Sequence, residues 1–529
     1  MRIYPLLSFT VAFLMSLHTL PTQAQSVPEP VTNTPLYEFI GELANDGIID
    51  LNSAVKPYSR KTILALLEQA EEADNKLTGR QRKELAFYLA DFRADVKDGK
   101  MRLKVNPATA QYHDSAFSVT VSPLLGLTVG SDGSVAWKNG AKVHGNYGSW
   151  GFFAALQDNH QDPLKGRPEY LTRERGGHIK GGTDFSEMTA GISYAWKWGD
   201  ISFIKDAPVW GSGYGGTNIL SGRAPSFIQV RLHVKPVKWL EMTWMHGWLN
   251  SMVVDSVRSF WVSNAYGTDY REVYRRKYIA ANLVTVTPVD RLNISAGNSV
   301  VYADARLMPN YLMPFYFYKS VDHAVNSGID NSNSQMFLDI SSYNIKHLHL
   351  YGTLFIDELS TSRFSNSDYN FFSWKGGFRA GNFSFLPNVW VTSEATFTYP
   401  LTFQHYVPVL TFENQGYNLG HYLRDNTRSF WFALDYKPLR AMNIRLWHER
   451  TERGSDFQSI GGPRTGLPYL NPVEWKSVTT GFDVYCMITG GVSVNASVTR
   501  SDVEGEAGWI APHLYGSHTT FSGGIVWGF

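Results

Sequence analysis

The sequence is poor in cysteine, in net charge and in long apolar runs, and each lack excludes a class of protein. Cys486 is the one cysteine among 529 residues, so the chain cannot form an internal disulfide or a thiolate metal cluster. A formal net charge of +1 means that the chain lacks the overall excess of positive charge typical of proteins that bind nucleic acid. Beyond residue 24 the chain has no uninterrupted run of about 18 apolar residues, which argues against membrane-spanning helices.

The first 24 residues predict export. Arg2 supplies a short positive region, residues 6–20 form a mostly apolar run, and Thr22-Gln23-Ala24 is typical of a small-residue cleavage site. We therefore predict that residues 1–24 are a cleaved signal peptide. The expected destination of the mature chain is the outer membrane of a Gram-negative cell.

Aromatic residues make up 14% of the chain, although its mean hydropathy is only −0.22. That combination is typical of a β-barrel with an apolar outer face and a polar lumen. From about residue 117 onward, apolar and polar residues alternate with the period of a β-strand. Two examples are Val492, Val494, Ala496 and Val498 between Ser493, Asn495, Ser497 and Thr499, and Phe430, Phe432, Leu434 and Tyr436 between Ser429, Trp431, Ala433 and Asp435. A soluble β-sandwich would give the same local pattern.

The lengths of the connections favour the barrel. Short turns occur near Pro236, Pro288, Pro438 and Gly490, and long polar segments separate them, near 158–187, 206–225, 250–276, 303–334, 400–427 and 451–474. In an outer-membrane barrel, short turns lie on the periplasmic rim and long loops on the outer rim. We predict an all-β transmembrane barrel of roughly 18 antiparallel strands over residues 105–529, ending on the strand Phe521–Phe529.

Residues 25–104 show helical spacing instead. The candidate helix caps are Thr34 before Pro35, Ser59, and Thr78 with Gln81 at capping-box spacing. Gly47 is a candidate helix end. We predict a small α-helical bundle on the periplasmic side of the barrel.

Several short motifs occur in a particular order along the chain. They are Leu36-Tyr37-Glu38-Phe39-Ile40-Gly41-Glu42-Leu43, Gly47-Ile48-Ile49, Lys56-Pro57-Tyr58-Ser59-Arg60, Trp210-Gly211-Ser212-Gly213, Ile219-Leu220-Ser221-Gly222-Arg223-Ala224-Pro225, Pro314-Phe315-Tyr316, Asp330-Asn331-Ser332-Asn333, Leu338-Asp339, and Tyr351-Gly352 before Asp357. In this order they resemble the Wzi family of capsule-assembly outer-membrane proteins. Ser212 stands where relatives often carry proline, and Gly222-Arg223 replaces a more Asn-like pair.

The resemblance implies an 18-stranded barrel with a periplasmic helical bundle. It also implies a lectin-like, non-enzymatic role in which the protein holds exported capsular or related polysaccharide at the cell surface.

The motifs of enzymes and metal sites are missing. Gly191-Ile192-Ser193-Tyr194-Ala195 comes closest to a nucleophile elbow but lies in a strand pattern, and His448-Glu449 lacks the second histidine of a zinc motif. A serine–histidine pair that assembles only in space stays open. We predict no enzyme activity, no cofactor and no metal.

The long loops carry aromatic and arginine side chains that suit a sugar. Flat aromatic faces pack against the C–H surface of a sugar, and planar guanidinium groups bind hydroxyl or carboxylate groups. The candidate polysaccharide-binding residues are Trp210, Tyr214 and Arg223 in one loop, Arg173 and Arg175 in a second, and Arg275 in a third. Such clusters suit an acidic polysaccharide, or equally the phosphates of lipopolysaccharide. Interleaved glutamates leave open a charge-paired loop surface without a ligand.

Two other functions stay open. Large barrels commonly enclose an aqueous lumen, so a porin-like channel is one alternative. The other is a structural part of a surface secretion or gliding machine, with a periplasmic partner bound through the helical bundle.

Overall fold

The structure is a computed structural model, and it describes most of the chain after the predicted signal peptide. The described residues are 26–93, 100–105, 108–114, 116–163, 178–180, 183–265, 267–304, 306–325, 328–363, 370–455, 468–489, 491–505 and 515–528. The predicted signal peptide, Arg173, Arg175 and Phe529 lie outside them. Among the described helices, none has both the length and the apolarity needed to cross a bilayer.

Within these residues, eighteen long strands form one closed antiparallel barrel. They are β1 Phe117–Gly130, β2 Val135–Tyr147, β3 Trp150–Asp162, β4 Asp184–Trp196, β5 Gly199–Asp206, β6 Phe227–Val237, β7 Leu240–Val254, β8 Tyr274–Val289, β9 Leu292–Tyr302, β10 Ser332–Ser342, β11 Leu348–Glu358, β12 Phe371–Phe383, β13 Leu386–Thr398, β14 Thr427–Leu439, β15 Met442–Gly454, β16 Val473–Thr489, β17 Val492–Gly505 and β18 Gly516–Gly528. Each strand pairs with the next in the chain, and β18 pairs with β1. The predicted barrel and its strand number are confirmed.

The ring closes between the first and last strands. In β18, Ser522 lies opposite Gly130 and Gly528 lies opposite Leu124. The remaining part of β1 pairs with a hairpin, Lys100–Val105 and Ala108–His113. This hairpin spans the boundary that the sequence predicts, between residues 104 and 105, for the helical bundle and the barrel. Closure matters because lipid offers no partner to an unpaired backbone N–H or C=O group.

The two faces of the wall differ as the alternating pattern predicts. On β14, Phe430, Phe432 and Leu434 are exposed on the outside, whereas Trp431 and Ala433 are buried inside. Short connections such as 238–239 and 290–291 lie at one end, here called the turn end. Longer ones, such as 207–226 and 399–426, begin at the opposite end, here called the loop end.

In the described residues, three α-helices precede the barrel: α1 Thr34–Asn45, α2 Arg60–Glu72 and α3 Gly79–Phe92. Ser59 caps α2, and Thr78 forms the predicted capping box of α3. Gly47, with a φ of +70°, follows α1 as predicted. The predicted Thr34 cap is wrong by one residue. The helix already includes Thr34, and Asn33 stands at the cap position without a side-chain hydrogen bond.

The helices fill the turn end of the barrel. Their shared core includes Leu36, Phe39, Leu67, Leu89 and Phe92, together with Tyr343 from the connection between β10 and β11. Ion pairs tie the helices to the wall: Glu84 to Lys437 at 2.5 Å and Glu38 to Arg445 at 2.7 Å. The Asp46 carboxyl also lies 3.0 Å from Nδ1 of His347. The bundle is therefore docked on the barrel through charges as well as apolar contacts.

Two connections of the loop end fold back into the lumen. Segments 207–226 and 399–426 share one apolar core with the inner wall. The segments contribute Trp210, Ile219, Phe403, Phe412 and Leu419, and the wall contributes Met245, Ala281, Val301, Phe337 and Phe355. This part of the barrel is therefore packed with side chains.

We predict that Leu67→Ala destabilises the docked bundle by about 2–5 kcal/mol, because the substitution leaves a cavity at a fully buried site. The measurement is the urea concentration at which a protease cleaves residues 26–93 in detergent-solubilised protein. Lys83→Ala, on the exposed side of α3, is the matched control and should leave that urea concentration unchanged. Equal midpoints for the two variants would contradict the packing described above.

Candidate functional site

The loop that carries Trp210, Tyr214 and Arg223 lies inside the barrel. Its short strand Val209–Trp210 pairs on one side with Val55–Lys56 and on the other with Leu220–Ser221. The Trp210 indole has no exposed surface and packs edge-on against Phe337, with ring centroids 6.1 Å apart. In this conformation Trp210 presents no face to a sugar.

Glu394, on the inner wall, fixes the tip of this loop. Its carboxylate accepts four hydrogen bonds: from the backbone N–H groups of Tyr214 (2.6 Å) and Gly215 (2.8 Å), the Tyr351 hydroxyl (2.6 Å) and the Lys375 ammonium (2.6 Å). A Cβ at Gly215 would lie 2.7 Å from a Glu394 oxygen. The glycine therefore allows the close approach that the carboxylate needs.

A polar network continues from the loop to the wall and to the N-terminal segment. The Tyr214 hydroxyl lies 2.9 Å from Nδ1 of His349, and Nε2 of His349 lies 2.9 Å from the Ser341 hydroxyl. Ser53 bridges Ser341 at 2.9 Å and Ser212 at 3.0 Å. Burial raises the pKa of Tyr214 to about 12, so the phenol stays protonated and can donate to His349.

Arg223 joins the two segments in the lumen. Its guanidinium lies 5.2 Å from the ring centroid of Tyr417, in segment 399–426, and the side chain is buried. Trp210, Tyr214 and Arg223 therefore pack and order the interior. The sequence predicts them as sugar contacts on the outer rim, whereas the structure places them in the lumen.

Arg275 has a different position. It lies near the loop end of β8 and is exposed to solvent, as is the adjacent Arg276. The predicted polysaccharide contact at Arg275 is therefore compatible with its exposure and stays a prediction.

A hairpin that sequence reasoning missed projects next to Arg275. Its strands, Phe260–Asn264 and Gly267–Arg271, lie between β7 and β8. Trp261 is 68% exposed and lies directly opposite Tyr270, with the two rings 5.1 Å apart. The signal was present in the sequence, since two short β-prone runs flank Asn264 and Gly267.

The aromatic pair has charged neighbours. Arg258 and Arg271 are exposed on the same connection, and Arg271 lies 3.5 Å from Asp269. An exposed aromatic face beside guanidinium groups offers both kinds of contact that an acidic sugar needs. We call the hairpin residues 260–271, with Arg258 and Arg275, the aromatic hairpin surface.

A cavity of about 450 Å³ lies on the other side of the lumen, between the N-terminal segment 28–35 and the inner wall. Its lining includes Glu29, Lys138, Lys142, Glu187 and Asp206, so it carries charges of both signs. Within the described part of the chain, no group of three or more His, Cys, Asp or Glu side chains is placed to hold a metal ion. The predicted lack of a cofactor stays a prediction.

The closed antiparallel barrel with an apolar outer face is typical of the outer-membrane class. No family model and no curated protein matches the sequence. Among solved structures, the chain is similar to Wzi of Escherichia coli, with a TM-score of 0.60 and 13% identity over 96% of this chain and 99% of Wzi. Wzi is an outer-membrane protein involved in group 1 capsule assembly and a carbohydrate-binding β-barrel. The resemblance seen in the sequence is thus confirmed at the level of the fold.

Two Pseudomonas aeruginosa proteins also match over part of the chain. OccK3 has a TM-score of 0.42 and 9% identity, and OprD has a TM-score of 0.42 and 10% identity. Each match covers 78% of this chain and 95% of the other.

We predict that Glu394→Gln loosens the loop at Tyr214 and Gly215, because it removes the negative charge from the buried Glu394–Lys375 ion pair and replaces one acceptor oxygen by an NH2 donor. Breaking such a buried pair costs about 3–5 kcal/mol. Hydrogen exchange of the two amides measures the effect, and faster exchange is expected. Glu358→Gln removes a carboxylate that is half exposed at the loop end, and it is the matched control. Unchanged protection in Glu394→Gln would show that another contact fixes the loop.

A pH dependence is expected at Glu29, which lies 2.8 Å from Arg60 and 3.3 Å from Lys142. Burial opposes its charge, but Lys142 and Arg60 hold the pKa of Glu29 at about 2, below the ordinary 4.5. Because docking lowers this pKa, the stabilisation is complete above pH 4.5 and is lost as the pH falls towards 2.

The difference in melting temperature between the wild-type protein and Glu29→Gln should therefore shrink as the pH falls through this range. A difference in melting temperature that stays constant from pH 4.5 down to pH 2 would contradict the role of the Glu29 charge.

Proposed function

We propose that this chain is a non-enzymatic outer-membrane protein that binds and anchors capsular or related surface polysaccharide. The observation that carries the proposal is the exposed Trp261–Tyr270 pair beside arginines at the loop end. The fold shared with Wzi, a carbohydrate-binding barrel, supports the same reading.

The orientation of the barrel supports an outward-facing surface. In outer-membrane barrels the short turns face the periplasm and the long loops face the exterior. The aromatic hairpin surface lies at the loop end, and the helical bundle lies at the turn end. We infer that the hairpin meets exported polysaccharide and that the bundle is available to a periplasmic partner.

The charges around the hairpin favour an acidic glycan. Arg258, Arg271, Arg275 and Arg276 are exposed there, with two exposed carboxylates, Asp269 and Glu272, among them. Exposed charges act weakly and are screened by salt. We therefore infer that the aromatic pair supplies the contact area and that the arginines select for negative charge. Phosphate groups of lipopolysaccharide have the same chemistry and are the competing ligand.

A channel is the second candidate, and the cavity of about 450 Å³ is the observation that favours it. The packed core of segments 207–226 and 399–426 in the lumen favours binding instead. Conductance in planar bilayers separates the two functions: a filled barrel passes little current, and a large steady conductance would support the channel.

We predict that Trp261→Ala weakens binding of the polysaccharide shed by the source bacterium roughly five-fold, which corresponds to the loss of about 1 kcal/mol of aromatic contact. Titration of the full-length protein in detergent measures it. Trp239→Ala is the matched control, because Trp239 is also exposed but lies at the turn end. Equal affinity in the two variants would place the glycan elsewhere.

A further inference from the structure

The outer wall of β7, β8 and β9 is covered by protein. Outward-facing Met242, Trp244, Ala280, Val300 and Tyr302 are each 6% exposed or less. On β14, on another part of the wall, the outward-facing Phe430, Phe432, Leu434 and Tyr436 are each at least 36% exposed. The next residue in each covered strand faces the lumen, so the covered face is the one that a barrel normally turns to lipid.

The cover comes from the connection between β9 and β10. It contains a 3-10 turn, Pro309–Leu312, and the helix α4, Tyr318–Val325. Tyr311 packs against Tyr302 with ring centroids 4.8 Å apart, and the Trp244 indole N–H donates to the Tyr318 hydroxyl at 2.9 Å. We call residues 308–325 the flap.

Two asparagines on the covered wall hold the backbone of the flap. Asn282 donates to the carbonyl oxygens of Pro314 (3.0 Å) and Tyr316 (2.8 Å). Asn298 donates to the Asn282 side-chain oxygen at 2.8 Å and accepts from the Tyr318 N–H at 2.8 Å. Polar side chains on a lipid-facing wall are costly, but here they supply partners to irregular backbone.

The asparagines also locate the flap in depth. Asn298 lies near the midpoint of β9 (Leu292–Tyr302), so the flap descends well below the loop end. At that depth an unpaired backbone group in lipid costs several kcal/mol, and irregular backbone persists only where protein satisfies it. The Asn282–Asn298 pair meets that requirement.

The outer surface of the flap is apolar over residues 312–317. Phe315 is 78% exposed, and four neighbours are also exposed: Leu312, Met313, Tyr316 and Phe317. Exposed Ile294, Leu338 and Ile340 on β9 and β10 continue the apolar surface towards the turn end. The flap is therefore continuous with the apolar belt of the barrel.

We propose that the flap is a re-entrant segment embedded in the outer leaflet, with Met313, Phe315 and Phe317 in contact with lipid acyl chains. The partner is lipid because the exposed flap residues extend the lipid-facing belt without interruption. β7 and β8, the strands that the flap covers, also carry the aromatic hairpin surface. The flap thus braces from the membrane side the two strands that present the hairpin.

The test uses nitroxide labels on single cysteines in a Cys486→Ser background, with the full-length protein in phospholipid vesicles. Collision with oxygen reports an apolar surrounding, and collision with a nickel chelate reports water. Phe315→Cys is expected to favour oxygen, like Ile340→Cys in the apolar belt. Phe260→Cys, on the exposed hairpin, is the control that should favour nickel.

A nickel-dominated signal at position 315 would overturn the proposal. Strong spin–spin broadening at that position would also overturn it, because a second chain rather than lipid would then cover the flap. In the double variant with Asn282→Leu, the signal at position 315 should shift towards nickel, because two carbonyl groups lose their donor. An unchanged signal in a barrel that has assembled would refute the anchoring role of Asn282.

Discussion

Pairing between the first and last strands, β1 and β18, turns the sheet into a closed barrel. Hydrogen bonds between β18 and β1 close the ring, so each strand acquires one face towards lipid and one towards an enclosed space. Polar and charged side chains on the inner face then need partners. The helical bundle supplies them at the turn end, and two returning loop segments supply them further along the lumen.

Buried carboxylates show how those partners are arranged. Glu394 on the wall gathers two backbone N–H groups of the returning loop, a phenol and an ammonium group. Glu29 joins the N-terminal segment to α2 and to β2 through Arg60 and Lys142. In both cases one carboxylate on one element collects donors from others. Buried carboxylates with several hydrogen-bond or ion-pair partners, together with apolar packing, therefore stabilise the interior.

Local sequence patterns predicted the helices and strands well, but they did not predict where the long loops lie. Alternation and turn spacing identified the barrel, and cap residues identified α2 and α3, because these signals depend on near neighbours. The sequence around Trp210, a tryptophan beside glycines, gives the same pattern whether its loop projects outward or returns into the lumen. The outcome depends on Glu394, which is far away in the sequence. Asn282 in an otherwise apolar outward row was a signal of the flap, but its meaning requires the covering segment.

Under the proposed function, ligand recognition lies on the exposed hairpin and the residues in the lumen have a structural role. The role in polysaccharide anchoring is tested by the ratio of cell-attached to released surface polysaccharide after deletion of the gene. We expect a shift towards released material that the wild-type gene reverses, and an unchanged ratio would refute polysaccharide anchoring.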